Sequence, residues 1–190
     1  MENIYENILK MCMCRNIKIT EKPDIAKILQ YNLITISGEY IDRVEEFRCY
    51  LIPQNSEVMS KKSSFLEIYN FINSAEQSIN IMIVSYEPAP TVRKLIDDLL
   101  SKDNVHIELL RYAPFVIEVP KHSMAVPHVV LNAEQKTELE TELRGFTLPK
   151  ILEKDPMVIW IGGRRGDIIK IDRLSEISGV ITAYRKVVAS

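Results

Sequence analysis

Cysteine is scarce in these 190 residues: Cys12, Cys14 and Cys49 are the three present, and three cannot all pair. Their fewness argues against a secreted disulfide scaffold and for a reducing compartment. No apolar run approaches the length of a membrane span, so a helical membrane protein is not expected. The start, Met1-Glu2-Asn3-Ile4-Tyr5-Glu6, lacks a basic n-region, and no signal peptide is expected. An excess of positive charge is missing too: 24 Lys and Arg stand against 26 Asp and Glu, a net charge of −2. No overall positive field exists to hold nucleic acid non-specifically. There is no internal repeat and no low-complexity tract. What remains is an ordinary globular composition, 46% apolar and 26% charged. A chain this long buries roughly 70% of its unfolded surface, so it needs no disulfide or metal to hold a core.

The first 117 residues read as an α/β layer domain. Ile4, Ile8, Leu9, Met11 and Cys12 recur with a helical period over residues 3 to 15. A second short helix is expected from Pro23 to Tyr31, with Ile25, Ile28 and Leu29 on one face and Pro23 in the first turn. Glu46 to Ile52 alternates as a strand that Pro53 stops. Phe65, Ile68, Tyr69 and Ile72 mark a helix. Ile79 to Val84 is short, apolar and β-branched, as a buried strand is. Thr91 is expected to cap a helix carrying Val92, Leu95, Ile96, Leu99 and Leu100. Val105 to Leu110 is a further strand. Strand, helix, strand, helix, strand points to an α/β layer ending near Ile117.

The pattern changes after Glu118. Prolines cluster around His122 and His128. Asn132 and Gln135 stand at capping-box spacing, and the helix they open carries Leu139 and Leu143 and is expected to end on a left-handed Gly145. Asp155-Pro156 opens a short helix with Ile159, Trp160 and Ile161, closed by Gly162. Asp167 to Asp172 and Val180 to Val188 are strands, with the connection between them. Residues 118 to 190 thus form a small α+β module. They hold 11 basic and 10 acidic groups, against 13 and 16 in the first 117. From Trp160 onward the ratio is 6 to 3, a local bias suited to an acidic groove.

Several groupings bear on chemistry. Cys12-x-Cys14 is not the spacing that lets two thiolates share one tetrahedral metal, and no second pair completes a site. On a helix such residues do not face each other. His122 and His128, with His106 in a strand, are expected to hydrogen-bond backbone and fix the crossing between domains rather than ligate metal. Gly162-Gly163-Arg164-Arg165-Gly166-Asp167 resembles a phosphate loop at first sight, but it lacks the Gly-Lys-Ser/Thr ending and precedes a strand. Two exposed arginines on a rigid turn still suit carboxylate or phosphate. Asp24 with Glu134-x-Lys136 imitates a metal-dependent nuclease, yet helix starts account for acidic residues in such positions. Pro90-Thr91-Val92-Arg93-Lys94 opens a helix after a strand and offers N–H groups and cations to a phosphate backbone.

The C-terminal blocks then acquire a collective meaning. In order they are Val119-Pro120-Lys121-His122, His128-Val129-Val130-Leu131, Leu148-Pro149-Lys150-Ile151, Asp155-Pro156, Arg165 to Ile171, Ser175 to Gly179, and Tyr184 to Val188. This series resembles the fifth subunit of eukaryotic DNA-directed RNA polymerases and its shorter archaeal homologue. The first 117 residues are similar to the eukaryotic jaw module through Ile8 to Cys12 with Ile19-Thr20, and through Ile81 to Val84 running into Ala89 to Lys94. Met157 to Gly162 departs from the family's usual stretch there. With an Ile- and Asn-rich make-up, this departure points to a divergent copy, such as one carried by a large DNA virus.

The resemblance implies an α/β jaw domain over 1–117 with a restriction-endonuclease-like mixed sheet and no nuclease site. It implies a small α+β assembly domain over 118–190. It further implies a non-catalytic polymerase subunit that docks on the largest subunit and guides downstream double-stranded DNA, with no cofactor, metal or membrane partner. The duplex contacts carried over are Pro90, Thr91, Arg93 and Lys94. The subunit interface carried over is Gly163, Arg164, Arg165, Gly166, Asp167, Ser175, Glu176, Gly179 and Tyr184. The expected location is the nucleus for a cellular chain, or virion and host cytoplasm for a viral one. The rival expectations are a metal-dependent nuclease and a freestanding transcription regulator.

Overall fold

Residues 46–110 run strand, helix, strand, helix, strand, and this stretch organises the first half of the chain. The computed structural model describes residues 1–24, 32–75, 78–102, 104–175, 177 and 179–189. It divides into two units, Met1–Val116 and Ile117–Ser190.

In the first unit, β3 (Glu46–Leu51), β4 (Ile79–Val84) and β5 (Val105–Leu110) lie parallel and side by side. The crossovers are α2 (Lys62–Asn73) and α3 (Pro90–Leu99). Both step across the sheet in the same direction, and right-handed crossovers then place both helices on one face. That face buries Tyr50, Ile81, Ile83 and Ile107 from the strands against Phe65, Ile68 and Ile72 of α2 and Val92, Ile96 and Leu99 of α3. Each such side chain contributes about 1.5–3 kcal/mol on burial. Arg48 lies on the same face, its guanidinium 3.7 Å from the centre of the Phe71 ring.

Two strands precede this core. β1 (Ile17–Glu21) and β2 (Ile34–Tyr40) add antiparallel strands in the order β1-β2-β3-β4-β5, which makes the sheet mixed. The second face carries the row Ile36, Cys49, Met82, Glu108. Helix α1 (Glu2–Cys14) covers it with Tyr5, Ile8, Met11 and Cys12, all buried. Asn7 Nδ2 donates to Phe115 O at 3.0 Å, holding the helix against the end of the unit.

The second unit has a four-stranded sheet in the order β6-β8-β9-β7. Its strands are β6 (His128–Val130), β7 (Lys150–Leu152), β8 (Ile168–Ser175) and β9 (Gly179–Val188), with helices α4 (Ala133–Leu143) and α5 (Pro156–Ile161). Val158, Ile169, Ile171 and Val187 form its buried centre. Trp160 is also fully buried.

Several expectations change. The helix expected from Pro23 to Tyr31 falls on residues 25–31, which lie outside the described residues. Thr91 is not the cap of α3: Ala89 is the N-cap, Pro90 takes the first helical position and Thr91 follows inside the turn. The capping box at Asn132 and Gln135 forms, but Arg144, at φ 46°, takes the left-handed position expected of Gly145. Gly145 also has positive φ, so two successive residues unwind the helix end. The last two strands are longer at their facing ends than expected: β8 runs on to Ser175 and β9 begins at Gly179.

Candidate functional site

The first surface is the edge of the α/β sheet where its parallel strands end. In an open α/β sheet this carboxyl edge is where ligands are usually met. α2 and α3 both begin there, because each follows a strand and runs back along it. Two hydrogen bonds tie the starts together: Ala89 N–H donates to Met59 O at 2.8 Å, and Tyr86 Oη donates to Ser56 O at 2.6 Å. Pro90, Thr91, Arg93 and Lys94 are all exposed on the first turn of α3. Lys61 and Lys62, at the start of α2, are exposed on the same edge. Sequence reasoning missed these two lysines, although the strand–helix order before Ile79 already placed that helix start beside α3. Anions balance part of the charge. Arg93 pairs with Asp97 at 3.5 Å, Lys61 with Glu57 at 2.7 Å, and Arg111 with Glu87. The edge is therefore decorated with cations without being strongly basic.

The second surface starts from the turn between α5 and β8. Asp155 caps α5 by accepting from Met157 N–H at 2.9 Å, and Gly162 ends it in the left-handed region. A Cβ at Gly163 would lie 2.9 Å from Val158 Cγ1 and 3.3 Å from Ile169 Cδ1, so the chain crosses the small core too closely for a side chain. Asp167 accepts from Arg164 N–H at 2.7 Å, and its own N–H donates to Arg164 O at 2.9 Å. Lys136 Nζ donates to Gly166 O at 3.1 Å, fastening the turn to α4. Of the two arginines expected to be exposed, Arg165 is exposed and Arg164 is half-buried. The turn is rigid because its own backbone and Asp167 close it, with Arg165 projecting.

The interface residues carried over from the resemblance do not form one patch. Gly163 to Asp167 precede β8, whereas Ser175 and Gly179 face each other at its far end. Seven steps of about 3.4 Å separate those ends, roughly 24 Å. Tyr184 stands between them, opposite Lys170, and lines a cleft with Gln135, Glu138 and Glu142 of α4. Glu176 lies outside the described residues.

Among the described residues, no group of three or more His, Cys, Asp and Glu is placed to hold a metal ion, and no helix is long and apolar enough to cross a membrane. Cys12 is buried while Cys14 is exposed, so the helix turns them apart. Burial pushes the Cys12 thiol up to about 12 and raises Cys49 as well. His122 Nδ1 accepts from Met124 N–H at 3.2 Å and His128 Nδ1 meets Val126 O at 2.7 Å; both contacts are local, spanning two residues. Lys136, the lysine of the nuclease-like grouping, is engaged by Gly166.

Set beside known proteins, the second unit is similar to RNA polymerase subunits. Residues 117–187 match the family described as RNA polymerase Rpb5, C-terminal domain. The chain is 34% identical over 117 residues to the DNA-directed RNA polymerases I, II, and III subunit RPABC1 of Caenorhabditis briggsae, and equally to that of Caenorhabditis elegans; each match covers 60% of this chain and 54% of the relative. The Dictyostelium discoideum subunit of the same description is 27% identical over 107 residues, covering 55% of this chain and 54% of its own length. The chain thus spans about half the length of the curated relatives it matches. A match covering 60% of the chain is longer than residues 117–190, so the likeness runs back into the first unit.

Proposed function

We propose that the chain is a non-catalytic subunit of a multisubunit DNA-directed RNA polymerase. The observation that carries this reading is the family match of residues 117–187, laid over a unit whose rigid turn and hairpin are surface features. In this reading the second unit is the assembly domain and docks on the largest subunit. Gly163, Arg164, Arg165, Gly166 and Asp167 serve one contact zone, and Ser175, Glu176, Gly179 and Tyr184 another. The first unit is the lower jaw. Its mixed sheet, covered by α1 on one face and α2 with α3 on the other, supports a restriction-endonuclease-like arrangement used as a scaffold. Pro90, Thr91, Arg93 and Lys94 meet the downstream duplex. A cellular copy works in the nucleus; a copy from a large DNA virus works in the virion and host cytoplasm.

The physics of a jaw fits a weakly charged edge. Downstream DNA must slide, so contacts go to phosphates and carry no base information. The rest of the enzyme supplies the binding energy, so a net charge of −2 is tolerable here and would be poor in a freestanding binder. A low-resolution map of the native complex on a downstream duplex tests the reading. The α3 start is expected within contact distance of the phosphate backbone. Density for this chain far from the entering duplex would refute the jaw role.

A further inference from the structure

A tyrosine hydroxyl ties together the two helix starts at the carboxyl edge of the first sheet. The chain between β3 and α2 carries two buried side chains, Val58 and Met59, and leads into the exposed Lys61 and Lys62. Groups from outside hold it. Tyr112 Oη donates to Ile52 O, Tyr86 Oη to Ser56 O at 2.6 Å, and Ala89 N–H to Met59 O at 2.8 Å. Ser56 is the knot of this loop. It is buried, its Oγ accepts from Val58 N–H at 3.3 Å, and its N–H donates to Pro53 O at 3.0 Å. Tyr86 takes its carbonyl from just beyond β4, and Ala89 is the N-cap of α3. The short stretch before α3 therefore grips the loop before α2.

The charges at these starts oppose the usual pattern. A helix N-terminus favours anions and disfavours cations. Neither α2 nor α3 has an acidic residue in its first turn or a side-chain cap, and α2 opens on Lys61 and Lys62. Ion pairs join Lys61 to Glu57, Arg93 to Asp97 and Arg111 to Glu87. Lys62 and Lys94 stand outside these pairs, and Glu67 lies more than a turn further along α2. A phosphate at Lys62 removes the conflict between that lysine and the helix start. Helices packed side by side stand roughly 8–10 Å apart, so Lys62 and Lys94 reach two phosphates rather than compete for one.

We propose that Tyr86 is a positioning residue for a second row of duplex contacts: its hydroxyl fixes the β3–α2 loop so that Lys62 meets a phosphate of the downstream DNA beside the one met by Lys94. The inference rests on the jaw reading above and adds to it a contact and the support of that contact. Phosphate contacts of this kind place the duplex without reading its sequence. Without the hydroxyl, Ser56 O turns to water and the loop loses its register against α3, while Val58 and Met59 keep the core closed. Lys94 is held by α3 itself and keeps its place.

The test uses polymerase purified from cells carrying the tagged full chain and bound to a downstream duplex. In a Cys14→Ser background, which removes the exposed thiol, a thiol-linked photo-cross-linker is placed at Lys62→Cys or at Lys94→Cys. Both positions are expected to cross-link the duplex. Adding Tyr86→Phe should lower the yield at the Lys62 position about fivefold and leave the yield at the Lys94 position unchanged. In the otherwise wild-type complex, Lys62→Gln should reduce the salt slope of duplex binding by about 1 on every sequence. An unchanged yield at the Lys62 position in Tyr86→Phe, or an equal fall at both positions, overturns the positioning role. A complex that cross-links at the Lys94 position alone, or an unaltered salt slope for Lys62→Gln, overturns the Lys62 contact. In each of these cases the jaw reading stands. An intact complex that cross-links the duplex at neither position overturns both.

Discussion

Arg15, at the end of α1, grips Glu108 on β5 with both guanidinium nitrogens, Nη1 to Oε1 and Nη2 to Oε2, each at 2.8 Å. The Arg15 side chain is only 2% exposed and that of Glu108 18%. The pair joins residues 93 positions apart and fixes α1 on the sheet face opposite α2 and α3. Removing one member of such a pair leaves an uncompensated charge, which costs about 3–5 kcal/mol. Arg15→Met should therefore lower stability by about that amount in urea unfolding. Adding Glu108→Leu should recover most of it, because the orphan charge is then gone. A double variant as weak as the single one would show that the pair acts through packing.

The α3 start yields a second prediction. Arg93 is exposed and its ion pair with Asp97 is a loose one at 3.5 Å, so it is available to a phosphate. Arg93→Ala should weaken downstream-duplex contact uniformly across sequences and reduce the salt slope by about 1. Duplex binding by the polymerase complex, titrated against salt on several sequences, reads this out. A change of sequence preference would contradict phosphate guidance.

The turn before β8 separates docking from folding. Arg165 projects from a turn held by backbone and by Asp167, so Arg165→Ala should loosen association with the polymerase while changing folding stability by less than about 0.5 kcal/mol. Gly163→Ala should do the reverse, because its methyl would press on Val158 and Ile169 in the small core. Thermal melts beside co-purification of each variant distinguish the two. A large melting shift for Arg165→Ala would make that arginine structural.

Thiol chemistry gives a further prediction. Cys14 is exposed, whereas Cys12 and Cys49 are buried with raised thiol pKa values. Iodoacetamide at pH 8 should modify Cys14 alone in the folded chain and all three after unfolding, as peptide mass spectrometry will show. The sign of the linked stability effect follows. The unfolded thiol ionises near 9 while folded Cys12 keeps its proton to about 12. Stability should fall as pH rises through this window, with a limiting slope of about 1.4 kcal/mol per pH unit for each such thiol.

Strong local signals made much of this legible in sequence. Ile79 to Val84, apolar but for Asn80, is β4 and is buried at all six positions. Asn132 with Gln135, and Asp155 with Pro156, name their helix starts through side-chain chemistry that acts over three residues. β1 and β2 escaped notice because Ile34–Tyr40 carries Ser37, Gly38 and Glu39, and its partners across the sheet lie beyond any local window. Gly38 belongs there for a reason only pairing reveals: a Cβ would meet Lys18 O at 2.8 Å. The Arg15–Glu108 pair was invisible for the same reason. At the candidate sites, the order of blocks pointed to the family, but not to geometry. The length of β8, which sets Arg165 and Ser175 at opposite ends, depends on the register of the whole hairpin.

Native mass spectrometry of the tagged chain, purified at physiological salt from its own cells, is the most direct test of the account. One copy of the chain bound to a complete RNA polymerase core is the predicted result. A chain that flies alone, with no largest subunit in stoichiometric amount, would contradict it.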